Sequence, residues 1–362
     1  NTNNKRINPF FEEYGTPHNT IPFHKIRLED YEEALMEGIR RDDEEIQLIT
    51  GNPDEPTFDN TLIFKDETKG EHYYDLLDRA SQVMACMMSC ETNDEMEALA
   101  QKMSPILTKH ANDVSMNPEL FRRIKYVYEK HRELTPEETR LLENAYKGFV
   151  RSGALLNEED KEKLRKLTEE VGLLTLQFSQ NLLKERKAFE MHITDEEQLD
   201  GLPDTARDAA RMEAKQREKD GYVFTLDFPS YSAFITYSTK RELRKKMYMA
   251  YNTLCTKDNS ENNIDICKRL INLRREIAQL LGYKTYADYV LEERMATNAT
   301  NVYDLLDRLV DAYKPTAEKE QEELKTIARK MEGDDFELEP WDTAPTSISA
   351  GFLPVYVMAY AF

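Results

Sequence analysis

The chain has 362 residues, 40% hydrophobic and 33% charged, enough to bury a large core and more in keeping with two lobes than one. Its 49 Lys and Arg against 69 Asp and Glu give a net charge of -20, which repels phosphate backbones and anionic lipid surfaces and sets nucleic acid and membrane aside as partners. Four scattered cysteines are too few for a disulfide framework, and no apolar run approaches the roughly 20 residues that span a bilayer, so a soluble chain of cytoplasm or periplasm is expected.

Helical periodicity dominates. After a polar start, NTNNKRINPF, which fits loss of a targeting segment or a trimmed beginning, comes an extended stretch marked by Pro9, Pro17 and Pro22. In LEDYEEALMEGIRRDDEEIQLI, the spacing of Leu28, Tyr31, Ala34, Leu35 and Ile39 makes one apolar stripe of a helix. Asp59 and Asn60 offer an N-cap for a long pattern through Leu62, Leu76, Leu77, Ala80 and Val83 to Cys90, in which Cys86 and Cys90 read as small core residues. Another helix follows Asn93-Asp94 to about Ala111, and Asn117-Pro118 starts the next. Thr135, Pro136 and Glu138 form a capping-box signature, with Gly153 past the helix end. Asn157 caps a long charged helix carrying Leu164, Leu167, Val171, Leu174, Phe178 and Leu182.

One region departs from this rule. AFEMHIT, YVFTLDF and SAFITYS are rich in β-branched and aromatic residues and read as short strands, with the helical string AARMEAKQREKDG between the first two. Helices resume with Thr239 as N-cap and run to Tyr251, from about Ile264 to Leu281 with Gly282 beyond the end, from Tyr286 to Arg294, and from Val302 to Met331. The fold class is therefore all-α (mainly α), with one small inserted β-hairpin or sheet. The expected organisation is a helical domain over 1–190, a second helical domain with the strands over 191–342, and an atypical uncharged tail over 343–362, TAPTSISAGFLPVYVMAYAF, which is not a good helix.

The chemistry-bearing residues are few. His18, His24, His72, His110, His131 and His192 include no pair at the i, i+4 spacing that grips zinc, and none is followed by Glu. His72 with Asp75, and His131 with Glu129 and Glu133, read as neighbours on solvated helix faces. There is no Gly-rich phosphate loop and no Gly-x-Ser-x-Gly elbow. Tyr222, Phe224, Phe228, Tyr231, Phe234 and Tyr237 are candidates for the lining of a peptide channel, with core packing the weightier reading. The residues thus assign no catalytic, cofactor-binding or metal-binding position.

The strings NPFFEEYGTPHNTIPFHKIRLEDYEEAL, ELTPEETRLLENAYKGFVRSGALL, GYVFTLDFPSYSAFITYSTKRELRKKMYMAY, LINLRREIAQLLGYKTYADYVLEERMA and LEPWD, in this order, resemble the upstream part of the thimet oligopeptidase, neurolysin and bacterial peptidyl-dipeptidase family of zinc metallopeptidases. The resemblance runs nearly to Asp342. It implies a multi-helical, two-lobed shell around a channel that admits short oligopeptides, and hydrolysis by a zinc-bound water with a Glu as general base. The family's His-Glu-x-x-His string belongs to the part after Leu-Glu-Pro-Trp-Asp and is absent here, so no zinc is expected on this chain. The uncharged tail departs from the charged, Tyr-rich helix that the resemblance implies, as a truncation would. The resulting expectation is a truncated peptidyl-dipeptidase, inactive by itself, whose parent releases C-terminal dipeptides; the alternative is a non-catalytic helical module that binds peptides or a protein.

Overall fold

The computed structural model describes residues 6–70, 72–130 and 133–349. They form a mainly helical molecule that divides into two compact units, Asn1–Leu176 with Leu270–Tyr286, and Gln177–Arg269 with Ala287–Phe362.

The first unit contains α1 (Leu28–Thr50), α2 (Phe58–Thr61), α3 (Leu76–Cys90), α4 (Asp94–Ser115), α5 (Pro118–Lys130), α6 (Pro136–Arg151) and the first half of α7 (Glu158–Ala188). Its main core joins Phe10 and the α1 stripe of Tyr31, Ala34 and Leu35 to Leu76, Ala80, Val83 and Met84 of α3 and Met96, Leu99 and Met103 of α4. Gly38 lets α1 and α3 touch, since a Cβ there would lie 2.7 Å from the Leu77 Cα. A second cluster joins Ile49 to Leu120 and Ile124, and Phe121 stacks on Tyr146 and Phe149. The fully buried Arg123 donates to Asn52 O (3.0 Å) and Asn60 Oδ1 (2.8 Å), fixing the turn that leads into α2.

The start signals at α6 and α7 work as the residue types dictate. Thr135 Oγ1 accepts from Glu138 N at 3.2 Å while Glu138 Oε2 accepts from Thr135 N at 2.8 Å, and Asn157 Oδ1 accepts from Asp160 N at 2.9 Å. Gly153 and Gly282 take φ of 94° and 88°, as left-handed residues past a helix end must.

The second unit holds β1 (Met191–Ile193), α8 (Asp204–Gln216), β2 (Tyr222–Phe224), α9 (Phe228–Tyr237), α10 (Arg241–Asn252), α11 (Ile264–Leu280, which ends in the first unit), α12 (Tyr286–Leu291, which begins there), α13 (Ala299–Glu332) and α14 (Thr343–Ser349). The strands pair antiparallel in the register Met191↔Phe224, His192↔Val223, Ile193↔Tyr222. Because α8 lies between them, they make a two-stranded sheet rather than a tight hairpin. Met191, Ile193, Phe224, Phe234, Met247 and Ala344 share its core. On α13, by contrast, Tyr303, Leu305, Leu306, Leu309, Val310 and Tyr313 are exposed.

Five expectations are corrected. SAFITYS is not a strand but the body of α9: Pro229 stands in its first turn, and burial of Phe234 and Ile235 on one helical face outweighs the β-propensity of the string. The pattern from Asp59 to Cys90 is not one helix. The Thr57–Asn60 capping box supports a single turn, after which Asp66 Oδ1 accepts from Thr68 N at 2.9 Å and turns the chain away. Thr239 does not cap α10, because its hydroxyl donates to Asp200 Oδ2 at 2.7 Å and the helix starts at Arg241. Cys86 and Cys90 are exposed rather than core, since the last fully buried residue of α3 is Met84. Finally, Thr343–Ser349 is helical, with Ala344 seated in the core and Thr346 Oγ1 donating to Asp342 O at 2.7 Å. The tail from Ala350 onward lies outside the described residues.

Gly38→Ala raises local helix propensity by about 1 kcal/mol, but the contact at Leu77 makes overpacking dominate. The variant is expected to lose roughly 1–3 kcal/mol in urea unfolding, against a gain for an open site.

Candidate functional site

The second unit concentrates its polar and aromatic side chains where α10 meets the segment before α14. Arg244 is buried and donates to Asp342 Oδ1 (2.8 Å), Trp341 O (2.9 Å) and Ser238 O (2.9 Å). Arg241 donates to the same carboxylate through Nε (3.0 Å) and Nη2 (2.8 Å). The Asp342 side chain is only 2% exposed. Burial alone pushes its pKa up, but the bonds from Arg241, the Glu339 backbone N–H and Arg244 outweigh it and hold the carboxyl below its ordinary value.

Around this clasp stands a wall of rings. Trp341 meets Tyr248 edge-on at 5.9 Å with Lys245 Nζ 5.1 Å from its centroid, and Tyr231 stacks on Tyr251 at 4.1 Å. Burial pushes the Tyr231 phenol up to about 12, so it is a neutral donor at physiological pH. The wall offers apolar faces, a cation and hydroxyls, but no nucleophile paired with a base.

The six aromatic residues singled out in the sequence divide. Phe224 and Phe234 form a core T-contact at 4.8 Å. Tyr222 is buried with its hydroxyl donating to Glu196 Oε1 at 3.1 Å. Tyr231 is in the wall, whereas Phe228 and Tyr237 are exposed. Trp341, Tyr248 and Tyr251 were not singled out, because only the fold brings Leu-Glu-Pro-Trp-Asp against α10.

The described histidines do not converge on a metal-holding group. His72 Nδ1 lies 2.9 Å from Asp75 Oδ2 with both side chains half exposed, a surface pair. His192 Nε2 donates to Asp220 O at 2.6 Å. His131 lies outside the described residues. Of the described histidines His110 alone is buried, with Nε2 2.5 Å from Asp42 Oδ2 and Nδ1 3.5 Å from Asp43 Oδ1, a pairing between α4 and α1 that the sequence does not announce. One α1 turn on, burial, then Asp42 and Asp75, push the Glu45 carboxyl up to about 7.

Residues 234–347, which include both arginines of the clasp, Trp341 and Asp342, match peptidase family M3. The chain is 30% identical over 341 residues to the dipeptidyl carboxypeptidase of Escherichia coli (strain K12), covering 93% of this chain and 49% of that protein. It is 31% identical over 343 residues to oligopeptidase A of Haemophilus influenzae, covering 92% and 48%. Against the organellar oligopeptidase A of Arabidopsis thaliana it is 26% identical over 352 residues. The chain belongs to peptidase family M3.

It spans about half the length of the curated relatives it matches. M3 is a metallopeptidase family, which implies zinc. Among the described residues, however, no three His, Cys, Asp or Glu side chains converge in a way that holds a metal ion. The donor set described here therefore does not fit zinc. No helix among the described residues is long and apolar enough to cross a membrane.

Two outcomes follow from these electrostatics. Asp342→Ala leaves Arg244 buried without its counter-ion and is expected to lower stability by roughly 3–5 kcal/mol, seen as a fall in the urea midpoint. For Glu45 the folded pKa lies above the ordinary 4.5, so its contribution is present below about pH 4.5 and is lost as pH rises through 7. Wild type is expected to lose up to about 2 kcal/mol over that window relative to Glu45→Gln, allowing for its half exposure. Parallel pH profiles for the two proteins would exclude the shift.

Proposed function

We propose that residues 1–362 form the upstream part of an M3 peptidase that hydrolyses short oligopeptides and releases C-terminal dipeptides. The observation that carries this reading is the match of over nine-tenths of the chain to a dipeptidyl carboxypeptidase. The family match over residues 234–347 supports a part for the α10 clasp and its ring wall in that activity. On this reading the wall supplies contacts to a peptide: Tyr231 donates a hydrogen bond, and Tyr248 and Trp341 give apolar faces. Hydrolysis itself falls to groups outside this set, since no His of the chain is followed by Glu and the described donors do not fit a metal.

The chain has one tryptophan, and it stands in the wall. Titration with a blocked fluorogenic tetrapeptide is therefore expected to shift Trp341 emission saturably. The same mixture is expected to show no turnover with or without added zinc, and no stoichiometric metal. An emission spectrum unmoved at millimolar peptide removes the wall from the reading, and chelator-sensitive turnover overturns the assignment of hydrolysis elsewhere.

A further inference from the structure

Helix α13 divides in two along its length. Its carboxyl half packs into the second unit, with Ala328 buried and α14 against it. Its amino half does not: every residue from Tyr303 to Thr316 is exposed among the described residues. A helix surrounded by water is stable with polar residues all round. Here Tyr303, Leu306, Leu309, Val310 and Tyr313 instead recur every three or four residues on one face, with Leu305 at its margin, at exposures of 41% to 67%. Asp304, Asp307, Arg308, Asp311 and Lys314 take the rest of the circumference. The stripe presents roughly 600 Å² of largely apolar surface, the upper end of what a monomer leaves in water.

The pattern of the stripe decides what fits it. Two cations against three carboxylates leave this half of the helix at a net charge of -1 (2 minus 3), which does not suit an anionic lipid surface. The order Tyr303, Leu306, Val310, Tyr313 has spacings of three, four and three, so it reads nearly the same in either direction. An antiparallel copy therefore sets Tyr303 against Tyr313 and Leu306 against Val310, each contact occurring twice, with Leu309 near the centre. That is the self-complementarity a two-fold interface requires. Asp307 and Lys314 stand on the same edge of the stripe, and antiparallel helices bring like edges together, so each carboxylate gains an ammonium from the other copy on its flank. A standard interface buries about 800 Å² per partner, most of which the stripe supplies. The net charge of -20 opposes pairing, but physiological salt screens it beyond about 8 Å.

We propose that residues 303–313 of α13 form an antiparallel, two-fold dimer interface with a second copy of this chain. The apolar stripe supplies the affinity, and the Asp307 and Lys314 edge supplies the direction.

The test is sedimentation velocity on the full chain from micromolar to tenth-millimolar concentration, at physiological and at high salt. Wild type is expected to pass from monomer to dimer with concentration, more readily at high salt as the net charge is screened. Leu306→Asp and Leu309→Asp are expected to weaken the dimer at least tenfold with unchanged circular dichroism, because neither side chain belongs to a core. Asp307→Lys is expected to weaken it less, and Asp307→Lys combined with Lys314→Asp to restore it. A monomer throughout the range overturns the interface and leaves the stripe to another cover, such as the half of the relatives that this chain does not span. A dimer untouched by Leu306→Asp and Leu309→Asp overturns it as well, and so does open-ended assembly, since two-fold pairing closes at two copies.

Discussion

Asp342 lies 98 and 101 residues beyond the two arginines that hold it, and its side chain is almost wholly removed from water. Burying a carboxylate costs several kcal/mol, which is recovered only when donors of good geometry replace its hydration. Here Arg241 approaches side-on with two N–H groups, Arg244 supplies a third, and the Glu339 backbone N–H a fourth contact. The geometry of a whole region follows. Trp341 is fixed because Arg244 also binds its carbonyl, and α14 starts where it does because Asp342 closes the turn before it. Ala344 then reaches the core beside Phe234. The pair specifies one arrangement of a long-range contact more than it adds net stability.

Elements whose start and stop signals are local were readable from the chain. The α6 capping box, the Asn157 cap of α7, the left-handed glycines 153 and 282 and the stripe of α1 all depend on residues within a few positions of one another. The failures share a cause as well. SAFITYS has strand-like composition, yet its fate is set by Met191, Phe224 and Met247 arriving from elsewhere in the chain. Thr239 has the residue type of a cap, but Asp200 takes its hydroxyl. Cys86 and Cys90 fit the period of a buried face that runs out one turn earlier.

The site was less legible than the fold for the same reason. Tyr231 stood out in an aromatic string, but Trp341, Tyr248 and the arginines acquire meaning only through pairing across about a hundred residues. His110 with Asp42 likewise joins positions 68 apart. The missing His-Glu-x-x-His string, by contrast, is a purely local fact and was decidable at once. Family membership rests on the order of moderately specific strings along the chain, a signal that needs no contact to be seen.

Charge and burial together set what the ring wall offers on the proposed reading. A molecule of net charge -20 repels anionic ligands at long range, and salt at physiological strength screens that field beyond roughly 8 Å. Selection of a peptide must then come from contact. Tyr231, with its proton retained to about pH 12, donates without changing charge through the physiological range. Lys245 beside Trp341 supplies a local cation that the Asp342 clasp does not neutralise, because Arg241 and Arg244 already saturate that carboxylate. The buried ion pair thus holds Trp341 in place through its carbonyl and commits the Asp342 carboxylate to the two arginines.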